Sequence, residues 1–395
     1  MALRDARRRR RRRMSRLRLL SLLSSLSVRR TLRTYASRRD CSVINNLHAK
    51  KEFRFTITEI RELITLLGVP DPLKVRYGLS VSALEGMCLL LSRLAGNRSF
   101  FDLSRLFSRS TGACSEIVNR LVLFLSNRHR KLIRCNVHLF ASRAAYYNRC
   151  IQAKEPAVDT CIGFVDGTCR EISRPGVAQA IQYSGLLFFL LILTHAGHKG
   201  YHCFKYQSLS TPDGLITHLF GPCTGTTADT TMYAISGVND LFSSNPFLNQ
   251  FTLYADQGYQ ASRYLLSPYP THGGRRQLTP AQLHFNNSMV RPRLSVEHCF
   301  GRVTQLFRLF HNHANLFIGN MEITKSYEVA VLLTNLRTCM DGRNQVSDHF
   351  RCIPPSVDEY LNMANGDGDD GDDGDDGDDD HVDDDNGEDG DDDYG

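Results

Sequence analysis

The segment "CIGFVDGTCREISRPG", residues 161–176, places one carboxylate inside an apolar run and follows it with basic residues. Side chains alternate between the two faces of a strand, so Ile162, Phe164, Asp166 and Thr168 would share one face. A carboxylate on an inward-facing strand is costly unless a partner compensates its charge. The segment therefore predicts a strand whose acid has a chemical role. A turn at "DG", with Asp166 as its capping acid, is the alternative.

The charge of the chain is divided unevenly along its length. The sequence of 395 residues has 48 Lys and Arg against 42 Asp and Glu, a formal net charge of +6. Eighteen of the acids follow Asn365, where there is no Lys or Arg, so residues 1–365 carry 48 basic and 24 acidic residues, a net charge of +24. A body this basic is typical of proteins that bind nucleic acid. It argues against a carboxylate-pair glycosidase, which has no need of such a charge.

The cysteines and the apolar runs limit the compartment and the class of protein. The twelve cysteines run from Cys41 to Cys352 without a C-x-x-C pair, which predicts reduced thiols rather than disulfides or a zinc ribbon. His195, His198 and His202 are spaced loosely like zinc ligands, but no fourth ligand is evident. The run "LLFFLLIL" (186–193) is shorter than the roughly 20 residues of a membrane helix. We therefore expect a soluble protein with no membrane partner.

Both ends of the chain have biased composition. Residues 1–50 are predicted to be a basic disordered arm, since the first 39 residues contain 15 Arg and one acid, Asp5. A nuclear-localisation or nucleic-acid arm, an organelle presequence and a wrongly extended start of translation are three open interpretations. Residues 365–395 are predicted to be a disordered acidic tail, because Asp and Gly cannot form a core. The tail is either a harmless repeat or a DNA mimic that folds back on the basic body.

Residues 51–150 are predicted to form an all-helical, helix-turn-helix-like DNA-binding region. Three capping patterns begin helices at Thr56, Ser82 and Ser99. A short helix from Ser99, a break and a longer helix with an apolar stripe give the helix-turn-helix outline. Plain helical packing explains the same pattern. The residues predicted to contact nucleic acid here are Arg105, Arg109 and Arg120.

Residues 155–345 are predicted to form a domain of mixed α/β structure. Residues 346–364 are predicted to be a C-terminal linker. Three acids lie where the pattern predicts inward-facing positions. They are Asp166, Asp256 at the end of "FTLYA", and Glu297 beside the core stripe of a helix opened by Pro292. Glu297 alone could equally pair with Arg293 or Arg302 at the surface.

Three clustered carboxylates need cations. Two carboxylates about 4 Å apart repel by roughly 4 kcal/mol at an effective dielectric constant near 20. Hard oxygen donors suit Mg²⁺ or Mn²⁺, and two such ions can activate an attacking oxygen and stabilise a leaving oxygen at phosphorus. Two Mg²⁺ or Mn²⁺ ions are therefore the predicted cofactor.

Six blocks between about 160 and 340 resemble, in order, those of the PIF/Harbinger-type transposases. The blocks are "FVDGT", "GHKGYHCFKYQ", "TPDGLITHLFGP", "YADQGY", "LTPAQLHFN" and "SVEHCFGRV". The resemblance implies an α/β fold, with a ribonuclease-H-like mixed sheet and flanking helices. It also implies a D-D-E triad of Asp166, Asp256 and Glu297.

The resemblance implies a transposase-derived, divalent-metal-dependent DNA endonuclease and strand-transfer enzyme. Asp229 in "GTTADTTMY" matches another acidic position of the family, and it is either a metal-site residue or a helix cap. Lys199, Lys205 and Arg302 are predicted phosphate contacts. A Myb-like accessory protein, a homo-oligomer and a nuclear location are further expectations from the family.

The sequence departs from the family pattern in three places. Ala255 replaces a usual glycine, and "LLTNLRTC" replaces a usual pairing of histidine and asparagine. The third departure is "LLFFLLILTHA" (186–196), inserted between blocks that normally adjoin, and a retained intron is the leading explanation. An insert of this kind favours the alternative function, a domesticated or decayed DNA-binding protein whose acids no longer cut.

Overall fold

The computed structural model describes residues 38–76, 78–173, 195–196, 201–270, 277–311, 316 and 321–362. Residues 1–37 of the predicted arm, most of the insert at 186–196, Lys199 and the acidic tail lie outside the described residues. None of the described helices is long and apolar enough to cross a lipid bilayer.

The helices within the described residues are α1 (Asn46–Phe53), α2 (Ile57–Leu66), α3 (Ala83–Gly96), α4 (Phe100–Leu106), α5 (Thr111–Arg128), α6 (Arg130–Arg134), α7 (Val137–Gln152), α8 (Asp229–Ile235), α9 (Val238–Ser244), α10 (Pro280–Ser288), α11 (Val290–Leu306), α12 (Ile323–Asp341), α13 (Gln345–Phe350) and α14 (Val357–Asn362). Short 3₁₀ turns span Cys41–Val43 and Arg308–Phe310. The strands are β1 (Leu73–Lys74), β2 (Ser80–Val81), β3 (Cys161–Glu171), β4 (His195–Ala196), β5 (Tyr201–Ser210), β6 (Ile216–Thr224), β7 (Thr252–Ala255) and β8 (Leu265–Leu266).

Local capping fixes the first helices where the sequence predicts them. Thr56 Oγ1 accepts the Glu59 N–H at 3.1 Å, and Glu59 Oε2 accepts the Thr56 N–H at 2.7 Å. Ser99 and Asp102 form the same reciprocal pair at the start of α4. Each pair satisfies two backbone donors that a helix start would otherwise leave without partners.

The predicted short helix, break and longer helix are present as α4 and α5. Ser110 Oγ accepts the Ala113 N–H at 3.1 Å and so begins α5 after the break. The predicted apolar stripe of α5 is fully buried: Cys114, Ile117, Val118, Leu121 and Leu125. DNA binding by this helix pair stays a prediction.

The sheet is mixed, with strand order β6-β5-β3-β7-β8 and with β4 paired to the start of β5. The central strand β3 runs antiparallel to β5 and parallel to β7. Helices α7 and α11 pack against β3. The predicted fold class, a ribonuclease-H-like mixed sheet with flanking helices after a helical N-terminal region, is thereby confirmed.

Helix α12 joins the helical region to the sheet, and nearly its whole length is buried. It packs against α5 on one side and β6 on the other. Glu328 of α12 accepts hydrogen bonds from Ser126 Oγ at 2.6 Å and from Arg134 Nη2 at 2.7 Å. Asn335 bonds the Ile216 N–H at 3.0 Å and the Ile216 carbonyl at 2.8 Å.

The segments at both ends of the described core are more folded than predicted. Residues 346–362 of the expected linker contain the rest of α13 and the whole of α14. Phe350 stacks on Phe164 with ring centroids 5.8 Å apart, and the Tyr360 hydroxyl accepts a hydrogen bond from Asn335 Nδ2 at 3.0 Å. At the other end, the expected disordered arm contains α1 up to residue 50, with Ala49 buried. In both segments a few apolar side chains are enough to attach the backbone to the core.

His218 of β6 gives the fold a dependence on pH. Burial lowers its pKa to about 4, against about 6.5 for an unfolded histidine. The unfolded chain therefore binds the proton first as the pH falls, and the free energy of unfolding should drop by about 3 kcal/mol between pH 7 and pH 4. Denaturant titrations of wild type and His218→Gln at pH 7, 5.5 and 4.5 measure this. Equal pH dependence in the two proteins would contradict the assignment to His218.

Candidate functional site

Two of the predicted acids, Asp166 and Asp256, come together at neighbouring parallel strands. Val165 of β3 is paired with Ala255 of β7, and each acid is the next residue along its chain. Their backbones are therefore about 5 Å apart, the ordinary spacing between strands. Asp166 Oδ1 accepts the Gly167 N–H at 2.8 Å, and Asp256 Oδ1 accepts the Gly258 N–H at 2.9 Å. These two bonds hold the carboxylates at the end of the strand pair.

Asp229, the first residue of α8, adds a third carboxylate. Its Oδ1 lies 3.0 Å from Lys205 Nζ, and Nζ also donates a hydrogen bond to the Thr227 carbonyl at 2.8 Å. Lys205 is on β5, the antiparallel neighbour of β3. Asp229 Oδ1 is buried and, within the described residues, makes no hydrogen bond, so its contact with Lys205 is an ion pair only.

Two glycines allow Asp229 to approach the strands that carry the other acids. A Cβ at Gly167, next to Asp166, would overlap Asp229 Oδ1. A Cβ at Gly258 would lie 3.1 Å from Asp256 Oδ1 and 3.6 Å from Asp229 Oδ2. One oxygen of Asp229 thus faces the Asp166 strand, and the other lies beside the Asp256 carboxylate. We call Asp166, Asp229 and Asp256 the carboxylate cluster.

Tyr259 carries a buried hydroxyl toward the carboxylate cluster. The residue is 3% exposed, and its hydroxyl has no hydrogen-bond partner within the part of the chain that the structure describes. Burial, followed by the charges of Asp229, Asp166 and Asp256, raises the pKa of Tyr259 far above its ordinary value. The hydroxyl therefore stays protonated and able to donate a hydrogen bond.

Glu297, the third predicted catalytic acid, lies in α11, and the structure describes only its backbone. Helix α11 packs on β3, the strand of Asp166. One helical turn after Glu297, the Phe300 ring lies 5.7 Å from the guanidinium carbon of Arg170, also on β3. The helix is thus on the strand that carries the first acid, while the meeting of the Glu297 side chain with the carboxylate cluster stays a prediction.

The residues predicted to contact nucleic acid differ in exposure and in ion pairing. Arg105 and Arg120 are exposed on α4 and α5. Arg109 is 4% exposed and pairs with Glu85, with Nη2 and Oε2 2.9 Å apart, so its position is that of a structural residue. Arg302 is half-buried, with Nη2 3.5 Å from Asp341 Oδ2, and burial lowers its pKa. Lys205 lies at the carboxylate cluster rather than at an open phosphate site.

The donor chemistry of the carboxylate cluster fits Mg²⁺ or Mn²⁺, because all its potential ligands are hard carboxylate oxygens. Asp229 Oδ1, buried without a hydrogen bond in the described residues, is suited to such an ion. Among those residues, however, no three His, Cys, Asp or Glu side chains are placed to hold one ion together. Within the described residues these carboxylates are therefore neighbours that do not form a three-ligand site.

Sequence reasoning missed two members of this site, Tyr259 and Gly167. Both stand in the motifs that supply the acids, "ADQGY" and "VDGT". The glycine directly after Asp166 was the available signal, since a glycine in a strand often marks the close approach of another group.

Gly167→Ala should therefore disturb the carboxylate cluster. The new methyl group overlaps Asp229 Oδ1, so this oxygen, which contacts Lys205, must shift. We expect the metal-dependent DNA cleavage that the family resemblance implies to fall about 100-fold, since small misplacements of catalytic groups have effects of this size. Gly112→Ala is the matched control, because a Cβ there meets nothing within 4 Å. Equal activity of the two variants would argue against close packing at Gly167.

Part of the chain matches the model of a known protein family. No curated protein and no solved structure matches the chain significantly. Residues 165–335 match the family model described as "DDE superfamily endonuclease". The matched range, less than half of the chain, begins one residue before Asp166 and includes Asp229, Asp256 and Glu297. The match supports a transposase-type DDE domain over residues 165–335.

Proposed function

We propose that the chain is a transposase-derived, divalent-metal-dependent DNA endonuclease and strand-transfer enzyme with a D-D-E triad. The observation that carries the proposal is the pairing of Val165 with Ala255, which places Asp166 and Asp256 side by side inside the segment that matches the DDE family. The net charge of +24 over residues 1–365 supports DNA as the substrate.

In this proposal Asp166 and Asp256 hold two Mg²⁺ or Mn²⁺ ions, with Glu297 and Asp229 as further ligands. Such ions supply activation of an attacking oxygen and stabilisation of the leaving oxygen at phosphorus. The Gly167 and Gly258 N–H groups orient the two strand carboxylates.

Two further side chains, Lys205 and Tyr259, act on the carboxylate cluster. Lys205 offsets part of the negative charge, since its ammonium lies beside Asp229. Tyr259 keeps its proton on the hydroxyl, because burial and the carboxylates raise its pKa.

The setting of the enzyme belongs to the same proposal. Arg105 and Arg120, exposed on α4 and α5, are available to contact DNA outside the nuclease domain. A Myb-like accessory protein, homo-oligomerisation and a nuclear location are supported by the resemblance to PIF/Harbinger-type transposases.

A nicking assay tests the proposal. Full-length protein is incubated with supercoiled plasmid and Mg²⁺, Mn²⁺ or EDTA, and strand transfer is followed with a duplex that carries a free 3′-hydroxyl. We expect nicking and joining with either metal and none with EDTA. Tight DNA binding without cleavage in either metal would favour the decayed DNA-binding protein instead.

A further inference from the structure

Lys205 is held at the carboxylate cluster by two contacts. Its Nζ lies 3.0 Å from Asp229 Oδ1 and donates to the Thr227 carbonyl at 2.8 Å. The side chain is 13% exposed, so most of its length is fixed between β5 and the segment that leads into α8. A lysine bound in this way is not a mobile surface charge.

The Lys205 ammonium also lies beside a group of carboxylates that includes Asp229 and Asp256. Asp229 Oδ2 and Asp256 Oδ1 approach the same point above Gly258, at 3.6 Å and 3.1 Å. Their oxygens are thus no farther apart than those two distances together, and like charges this close repel. The buried Tyr259 hydroxyl, without a hydrogen-bond partner in the described residues, is a separate sign that a ligand belongs here.

We propose that the Lys205 ammonium is the resident cation of the carboxylate cluster: it stabilises Asp229 beside Asp256 when no metal is bound, and it lowers the affinity of the cluster for a divalent ion. This inference rests on the proposed function, since it concerns the same metal site. It gives Lys205 a positioning and electrostatic role, which differs from a simple phosphate contact.

The proposal has two consequences of opposite sign. Removing the ammonium leaves the carboxylates to repel each other, so the metal-free protein should lose stability. The same change removes a positive charge that lies 3.0 Å from Asp229 Oδ1, a proposed ligand, so a divalent ion should bind about tenfold more tightly. A purely structural lysine would produce the first effect without the second.

Binding of Mn²⁺ to the full chain, followed by the electron paramagnetic resonance signal of free Mn²⁺, tests this. Wild type, Lys205→Met and Lys205→Arg are each measured with and without Asp256→Asn. The difference within each pair isolates the carboxylate cluster, because the acids after Asn365 are the same in both members. Urea unfolding without metal reports the stability of each protein.

We expect Lys205→Met to bind Mn²⁺ at the cluster about tenfold more tightly and to unfold at lower urea, while Lys205→Arg stays within about twofold of wild type. Lys205→Gln replaces the Met variant if that protein does not fold. Equal or weaker binding after loss of the ammonium would overturn this inference and leave the nuclease proposal standing. If no protein binds Mn²⁺ in an Asp256-dependent way, the metal-dependent function fails, and this inference fails with it.

Discussion

Asp256→Asn should lower the rate of the proposed metal-dependent DNA cleavage by about 10³-fold, which corresponds to about 4 kcal/mol of activation free energy. The carboxylate is the second predicted acid of the triad and stands beside Asp166 across β3 and β7. An asparagine has the same shape but no charge, so it cannot supply the anionic oxygen that a divalent ion needs. The Oδ1 atom of asparagine can still accept the Gly258 N–H, and the local fold should be kept.

Single-turnover nicking of plasmid DNA in Mg²⁺ and in Mn²⁺ measures this loss. Asp240→Asn is the matched control, because it makes the same chemical change at an exposed position in the first turn of α9. Its rate should equal that of wild type. A cleavage rate that survives Asp256→Asn would show that cleavage does not depend on this carboxylate.

Glu328→Ala should lower the free energy of unfolding by about 3 kcal/mol. The Glu328 side chain is 3% exposed and accepts hydrogen bonds from Ser126, Arg134 and Lys325. Its removal leaves the buried Ser126 hydroxyl without its acceptor and takes the carboxylate from Arg134 Nη2, while Arg134 Nη1 still donates to the Gly221 carbonyl. Arg134 and Lys325 are about a third exposed and can turn toward water, which places the loss at the lower end for a broken buried ion pair.

Urea unfolding of the full chain measures the loss at Glu328. Asp348→Ala is the control, because it breaks an ion pair with Arg343 whose side chains are 50% and 74% exposed. Exposed pairs of this kind contribute less than about 1 kcal/mol. Similar losses for the two variants would show that the Glu328 contacts do not hold α12 to the helical region.

The features that sequence alone could predict are those that depend on neighbouring residues. The capping pairs at Thr56 and Ser99 act over three residues, and the strand around Asp166 follows from the apolar run of its own segment. Both the capping pairs and the strand depend on residues close together in the sequence. The structure has these helices and this strand where they are predicted.

Contacts between distant residues were beyond such reasoning. Lys205 and Asp229 belong to different elements, and only the folded sheet shows that the lysine neutralises the acid. The charge of Arg109 predicts a DNA contact, whereas its guanidinium pairs with Glu85, 24 residues earlier in the sequence. The expected linker is folded because Phe350 packs against Phe164, which lies far away in the sequence.

Helix α12 makes the two halves of the molecule inseparable. Arg337 pairs with Glu59 of α2 at 3.0 Å, Glu328 bonds Ser126 of α5, and Asn335 bonds Ile216 of β6. A helix used by both halves leaves neither with a complete interior of its own. We therefore expect that the helical region cannot be transferred to another protein by recombination or gene fusion as an independently folding domain. Both halves would have to be transferred together.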